Sequence, residues 1–227
     1  DVGELESWLN RCNNGHRQYS TRDDFLALPS GFRLIDVKRG CVITAKSDPI
    51  YCALSYVWGG ENQGTRTSYR KIKVRPYRAF SGLHKIMLCI PDTLCRYLHL
   101  SQNYLRVDCL CILQDGEEDK HNQISSMDVV YNLALLTIVA AAGDGANAGL
   151  RPFNSPRFVH RRSFNSHLSF HVETISGIYF VSCLSPQIAT EIIAESKWAS
   201  RGWTLQEYIL SKRMVVFTGR YVFFHCK

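Results

Sequence analysis

The run YCALSYVWGG, residues 51–60, decides the fold. It opens with aromatic and apolar side chains that carry through Val57, and it closes on Gly59 and Gly60. An apolar run of this length bounded by glycine reads as a buried strand, of the kind found inside a parallel sheet. Ligand sites of open α/β sheets lie just past the carboxyl ends of such strands, which makes the residues closing this one the first candidates for function.

Working outward, RLIDV at 33–37 reads as a strand after the LPSGF turn. IPDTLCRYLHLSQNY at 90–104 reads as a helix with Asp92 as N-cap, and LRVDCLCILQD at 105–115 as the next strand. EEDKHNQISSMDVVYNL at 117–133 carries Ile124, Met127 and Tyr131 at helical spacing behind an acidic first turn, and it runs into an apolar strand over 134–142. Alternating strands and helices predict an α/β fold with a mostly parallel central sheet, in which CALSY, RVDCL and LLTIVAA are adjacent buried strands. Residues 154–185 read as an antiparallel β excursion, RMVVFTGRYVFFHC at 213–226 as a hairpin about Thr218 and Gly219, and VGELESWLNRCNNGH at 2–16 as a short amphipathic helix.

With 227 residues, 45% of them hydrophobic, the chain can bury a real core. It divides into an N-terminal helical segment over 1–30 and one domain over 31–227. It begins at Asp1 and ends inside a strand-like run, which reads as a fragment of a longer protein. The longest apolar run, LALLTIVAAAG at 133–143, is too short for a membrane span. The net charge of +7 is spread along the chain, with HRRSF at 160–164 the one tight cluster, so a basic surface or an anionic small molecule fits better than nucleic acid. Nine cysteines without a CxxC pair or disulfide spacing point to reduced thiols and a cytoplasmic protein. Cys12 and His16 lie four residues apart and could share a metal, but two ligands without a second pair make a weak site.

Three polar and aromatic clusters, ALSYVWGG, VDCLCILQD and RGWTLQE, end strands or begin helices, where an α/β fold builds its pocket. They offer Tyr56, Trp58, Gly59, Asp108, Gln114, Arg201, Trp203, Gln206 and Glu207. Each has a plainer reading: Tyr56 and Trp58 as core aromatics, Asp108 as a helix cap, and Glu207 as a surface partner of Arg201 or Lys212. Cys109 and Cys111 lie in an apolar run and read as buried, unreactive thiols. No GxSxG, GxxxxGK[ST] or GxGxxG is present, which argues against a serine hydrolase, a P-loop NTPase and a Rossmann dehydrogenase.

The three clusters, in this order, resemble the three blocks of the fungal heterokaryon incompatibility (HET) domain, over a span from about Arg33 to the C-terminus. The sequence departs from the common family pattern at Arg106, where a tryptophan or other large apolar residue is usual, and at Gly202, where a bulkier residue is usual. The resemblance implies a cell-death effector domain of fungal non-self recognition, joined to sensor or partner domains. It further implies a distant similarity to Toll/interleukin-1 receptor (TIR) domains, and with it a TIR- or flavodoxin-like fold. In TIR domains that cleave NAD, a strand reading roughly F-I-S-Y precedes a W-C-x-x-E helix with a catalytic glutamate. ALSY is similar to the first, and Trp203 with Glu207 keeps the spacing of the second, one helical turn apart on one face.

The expectation is therefore an NAD glycohydrolase switched on by self-association, with NAD as substrate and neither cofactor nor metal. Glu207 would be catalytic and the other eight residues substrate-binding. Trp203 would be a large aromatic buried at the helix start, and Glu207 an exposed or pocket-lining group. The alternatives are a non-enzymatic assembly module, with the clusters spread over an apolar surface, and a nucleic-acid-binding domain or nuclease, with its arginines gathered on one face.

Overall fold

The computed structural model describes residues 2–15, 26–59, 104–145, 148, 150, 172–175, 178–181, 186–219 and 221–227. In chain order these form α1 (Val2–Gly15), β1 (Arg33–Asp36), β2 (Cys41–Thr44), β3 (Cys52–Tyr56), β4 (Tyr104–Arg106) and a one-turn α2 (Asp108–Cys111). Then come α3 (Glu117–Ser125), α4 (Met127–Leu133), β5 (Leu136–Ala140), β6 (Val172–Ile175), β7 (Ile178–Val181), α5 (Pro186–Ala194), α6 (Gly202–Leu210), β8 (Arg213–Phe217) and β9 (Val222–Cys226). The helix expected from Asp92 and the basic cluster at 160–164 lie outside the described residues.

Seven strands make one sheet in the order β2-β1-β4-β3-β5-β8-β9, and β6 and β7 pair antiparallel in a second small sheet. β3, β5 and β8 are buried along their whole length, and they form parallel pairs with β4 as the fourth member. Of the three runs expected to be adjacent and parallel, CALSY and LLTIVAA are so as β3 and β5, whereas RVDCL contributes only Arg106 to the adjacent parallel β4. Counted along the chain, the four parallel strands lie second, first, third, fourth, with the order reversing between β3 and β5. Connections reverse direction at such a point, leaving a crevice beyond the strand ends.

The sheet is mixed rather than mostly parallel. β1 pairs antiparallel with both β2 and β4, and β9 pairs antiparallel with β8. Connections as short as 37–40 and 218–221 reach only an antiparallel neighbour, whereas parallel strands need a longer crossover. Gly40, at φ 66°, takes the left-handed turn between β1 and β2.

Two further expectations are corrected. The run RVDCLC is a strand only to Arg106. Beyond it Leu110 N–H and Cys111 N–H donate to Val107 O at 3.0 and 2.8 Å, closing the turn of α2. Cys109, Leu110 and Cys111 are all buried in it, and an unbroken apolar run has no period that separates strand from helical turn. The single helix expected over 117–133 breaks at Ser126, where the hydroxyls of Ser125 and Ser126 both donate to Asn122 O and compete with the backbone ladder.

α1 packs on β9, with Trp8 and Phe224 ring centroids 5.9 Å apart and Cys12 Sγ 2.8 Å from Cys226 Sγ. No disulfide joins the described cysteines. No helix among the described residues is long and apolar enough to cross a membrane.

Arg106 is fully buried at 1% exposure. Its guanidinium lies 4.7 Å over the Phe32 ring and donates to Arg33 O at 3.0 Å and to Gln123 Oε1 at 3.2 Å. Its Nε stands 3.6 Å from Asp108 Oδ1. A flat cation stacked on an aromatic ring fills the volume of a large apolar side chain and adds donors, which explains how arginine occupies this place. Gly202 is exposed with nothing within 4 Å of a Cβ built on it, so glycine there disturbs no packing.

Candidate active site

A cavity of about 330 Å³ opens beyond the carboxyl ends of β3 and β4, beside the point where the strand order reverses. β3 supplies Leu54 and Tyr56, with Trp58 just beyond it; α2 supplies Asp108, and the loop after it Ile112 and Gln114. α3 and α4 close one wall with Lys120, Ile124, Met127 and Tyr131. Arg201, Trp203, Gln206 and Glu207 enter from α6 and its N-terminal flank. Three segments separated by about fifty to ninety residues therefore meet: parallel β3 and β4 deliver their carboxyl ends to one edge, and α6, which precedes β8, lines the cavity beside them.

Glu207 lines the cavity and is buried, 8% exposed. Burial pushes its carboxyl up to about 7, and the negative charge of Asp108 adds to the rise. Hydrogen bonds from the Ser55 and Tyr131 hydroxyls and the charge of Arg201 oppose it. Ser55 Oγ donates to Glu207 Oε2, and Trp198 Nε1 donates to Ser55 Oγ at 2.6 Å. Burial also raises the Asp108 carboxyl, against the opposing charge of Arg106. Arg201 Nη1 donates to Tyr56 O at 2.7 Å, which ties the start of α6 to the end of β3. Burial, reinforced by Cys109, raises the Tyr56 hydroxyl and keeps it neutral.

Eight of the nine expected site residues line this cavity. Gly59 does not; it lies just beyond β3 with a left-handed φ of 72°. Trp203 is 54% exposed at the rim rather than buried, and Glu207 is the pocket-lining group expected, buried rather than solvent-facing. One turn of helix separates them, so the two share a face but stand at different depths. Cys109 and Cys111 are buried and absent from the cavity wall.

Sequence reading did not select Ser55, Lys120, Tyr131 or Trp198 for the site. Ser55 carried a usable signal: a hydroxyl inside a wholly buried strand must find partners. That signal alone is not specific, since Thr137 of β5 satisfies the same need with Ser211 Oγ at 2.7 Å, away from the cavity wall. Lys120 and Tyr131 come from helices whose register only the fold reveals.

The arrangement offers a neutral-pH carboxylate, a second acidic group, two cations and a rim aromatic around one apolar-walled space. Such a set can hold an anionic, aromatic-bearing ligand and stabilise positive charge developing on it. Among the described residues, no group of three His, Cys, Asp or Glu side chains is arranged to hold a metal ion.

No curated protein and no solved structure gives a match to the chain. The sequence profile of the heterokaryon incompatibility protein (HET) family matches residues 51–207, a span that opens just before β3 and closes on Glu207. That match covers well over half of the chain, and the chain belongs to the heterokaryon incompatibility protein (HET) family.

Proposed function

We propose that this domain is a cytoplasmic cell-death effector that cleaves the nicotinamide–ribose bond of NAD, with Glu207 as the catalytic carboxylate. The observation that carries this reading is a buried carboxylate in the wall of a cavity on which, among the described residues, all three family blocks converge. The order of the parallel strands is that of flavodoxin-like sheets and supports the TIR-like reading. Breaking the C1′–N bond sends the bonding pair to the pyridine nitrogen, releases neutral nicotinamide and leaves positive charge on the ribose. The Glu207 anion stabilises that charge, and water then adds at C1′ and sheds a proton. Trp203 stacks on the nicotinamide ring, and Arg201 and Lys120 face the pyrophosphate. A space of this size takes the nicotinamide riboside half, with the adenosine half extending past the rim. Activation by self-association belongs to the same reading, and exposed Leu205 and Ile209 on α6 supply apolar surface for it.

Two experiments test the proposal. Only ionised Glu207 stabilises a cation, so nicotinamide release is expected to be low at pH 5.5, to rise through about pH 7 and to level off above pH 8. A profile that is flat, or that falls over this range, contradicts it. Trp203→Ala is expected to leave stability within about 0.5 kcal/mol, since the side chain is largely exposed, and to raise KM roughly tenfold through lost stacking. Unchanged KM removes Trp203 from the ligand site.

A further inference from the structure

We propose that Ser55 and Trp198 are positioning residues for Glu207, holding its carboxylate as an anion in one orientation at the cavity wall. The indole Nε1–H of Trp198 can only donate, so at 2.6 Å the Ser55 oxygen must accept. Serine has one hydroxyl proton, and that proton is then left for Glu207 Oε2, the other partner of Ser55 Oγ. Ser55 and Trp198 are 1% and 2% exposed, so water does not compete for either bond. Tyr131, also buried, gives Glu207 a second hydroxyl donor.

The chain has a structural reason to place Trp198 there. It sits in the turn between α5 and α6, and its ring packs in a cluster with Val57, Val139, Met214 and Val216. The indole is therefore locked by the core of the sheet, and it transmits that rigidity through Ser55 to the carboxylate. Donors fixed by packing stabilise the charged form without reorganising when a ligand arrives. Tyr131, Arg201 and Asp108 also face Glu207. The effect of Ser55 must be read against all three.

The inference rests on Glu207 being the working group of the site, but its test does not need turnover. Glutamate carboxyl carbons are labelled with 13C in the whole 227-residue chain, and the Glu207 resonance is assigned by its loss in Glu207→Gln. In the wild-type protein it is expected to titrate near pH 7. In Ser55→Ala the midpoint is expected about one pH unit or more higher, because the anion has lost a charge-assisted donor. Ser55→Thr keeps the hydroxyl and is expected to restore the wild-type midpoint. Trp198→Phe frees the serine proton to rotate away and is expected to raise the midpoint by less; combined with Ser55→Ala it should add nothing. A Ser55→Ala midpoint equal to that of the wild type, or Trp198→Phe adding its full effect to Ser55→Ala, overturns the proposal. The pH profile of nicotinamide release, measured on the same proteins, separates the two claims. Shifted titrations without any nicotinamide release leave the positioning role standing and remove the NAD reading. Release with unshifted titrations does the reverse.

Discussion

Glu207→Gln is expected to lower NAD cleavage roughly 10²-fold or more, equivalent to about 2.7 kcal/mol of transition-state stabilisation. Glutamine keeps the volume and one acceptor for Ser55 and Tyr131, but it has no charge to set against the ribose cation. The same substitution is expected to stabilise the fold at pH 8. The carboxyl rises from 4.5 to about 7 on folding, so between those values the folded state binds more protons than the unfolded one. Its contribution to stability is intact below pH 4.5 and is lost as the pH rises through 7. That shift is worth about 3 kcal/mol at pH 8, and an uncharged side chain escapes it. Tm at pH 8 should therefore rise by several degrees, while at pH 4 the two proteins should melt close together. Activity lost with stability gained marks a strained functional group, whereas a surface glutamate would move neither. Wild-type activity, or a lower Tm at pH 8, contradicts the prediction.

Arg106→Leu is expected to destabilise the domain by about 3–5 kcal/mol, lowering Tm by on the order of 10 °C. Leucine fills part of the space, but Arg33 O and Gln123 Oε1 lose their donors and the Asp108 carboxyl loses its counter-charge. Adding Asp108→Asn to Arg106→Leu should recover part of the loss, because it removes the uncompensated charge. A double variant no more stable than the single one would show that the ion pair contributes nothing. Asp108 lines the cavity, so the single substitution should also weaken ligand binding beyond its effect on folding.

The parallel centre of the sheet was readable because β3 and β5 are continuous apolar runs with helical sequence before the next strand. Its antiparallel edges were less so, since a strand such as RLIDV does not reveal which neighbour it joins; only the short turns beside β2 and β9 fix the direction. The one-turn α2 hid inside an apolar stretch that has no period to read. The convergence of Tyr56, Asp108 and Glu207 was legible, because all three lie at carboxyl ends of strands or on the helix above them. Depth was not: Trp203 and Glu207 sit one turn apart, and which of them faces water depends on the tilt of α6 over β3. Ser55, Trp198 and Tyr131 belong to three segments whose meeting is a property of the tertiary fold.

The most direct test is to incubate the purified domain with NAD at pH 8, at high protein concentration in a crowding agent, and to measure nicotinamide over time with Glu207→Gln as the blank. Time-dependent release by the wild-type protein, and at most about one hundredth of it by the variant, is the predicted result. Equal release by both proteins, or none from either, contradicts the assignment of NAD cleavage to Glu207.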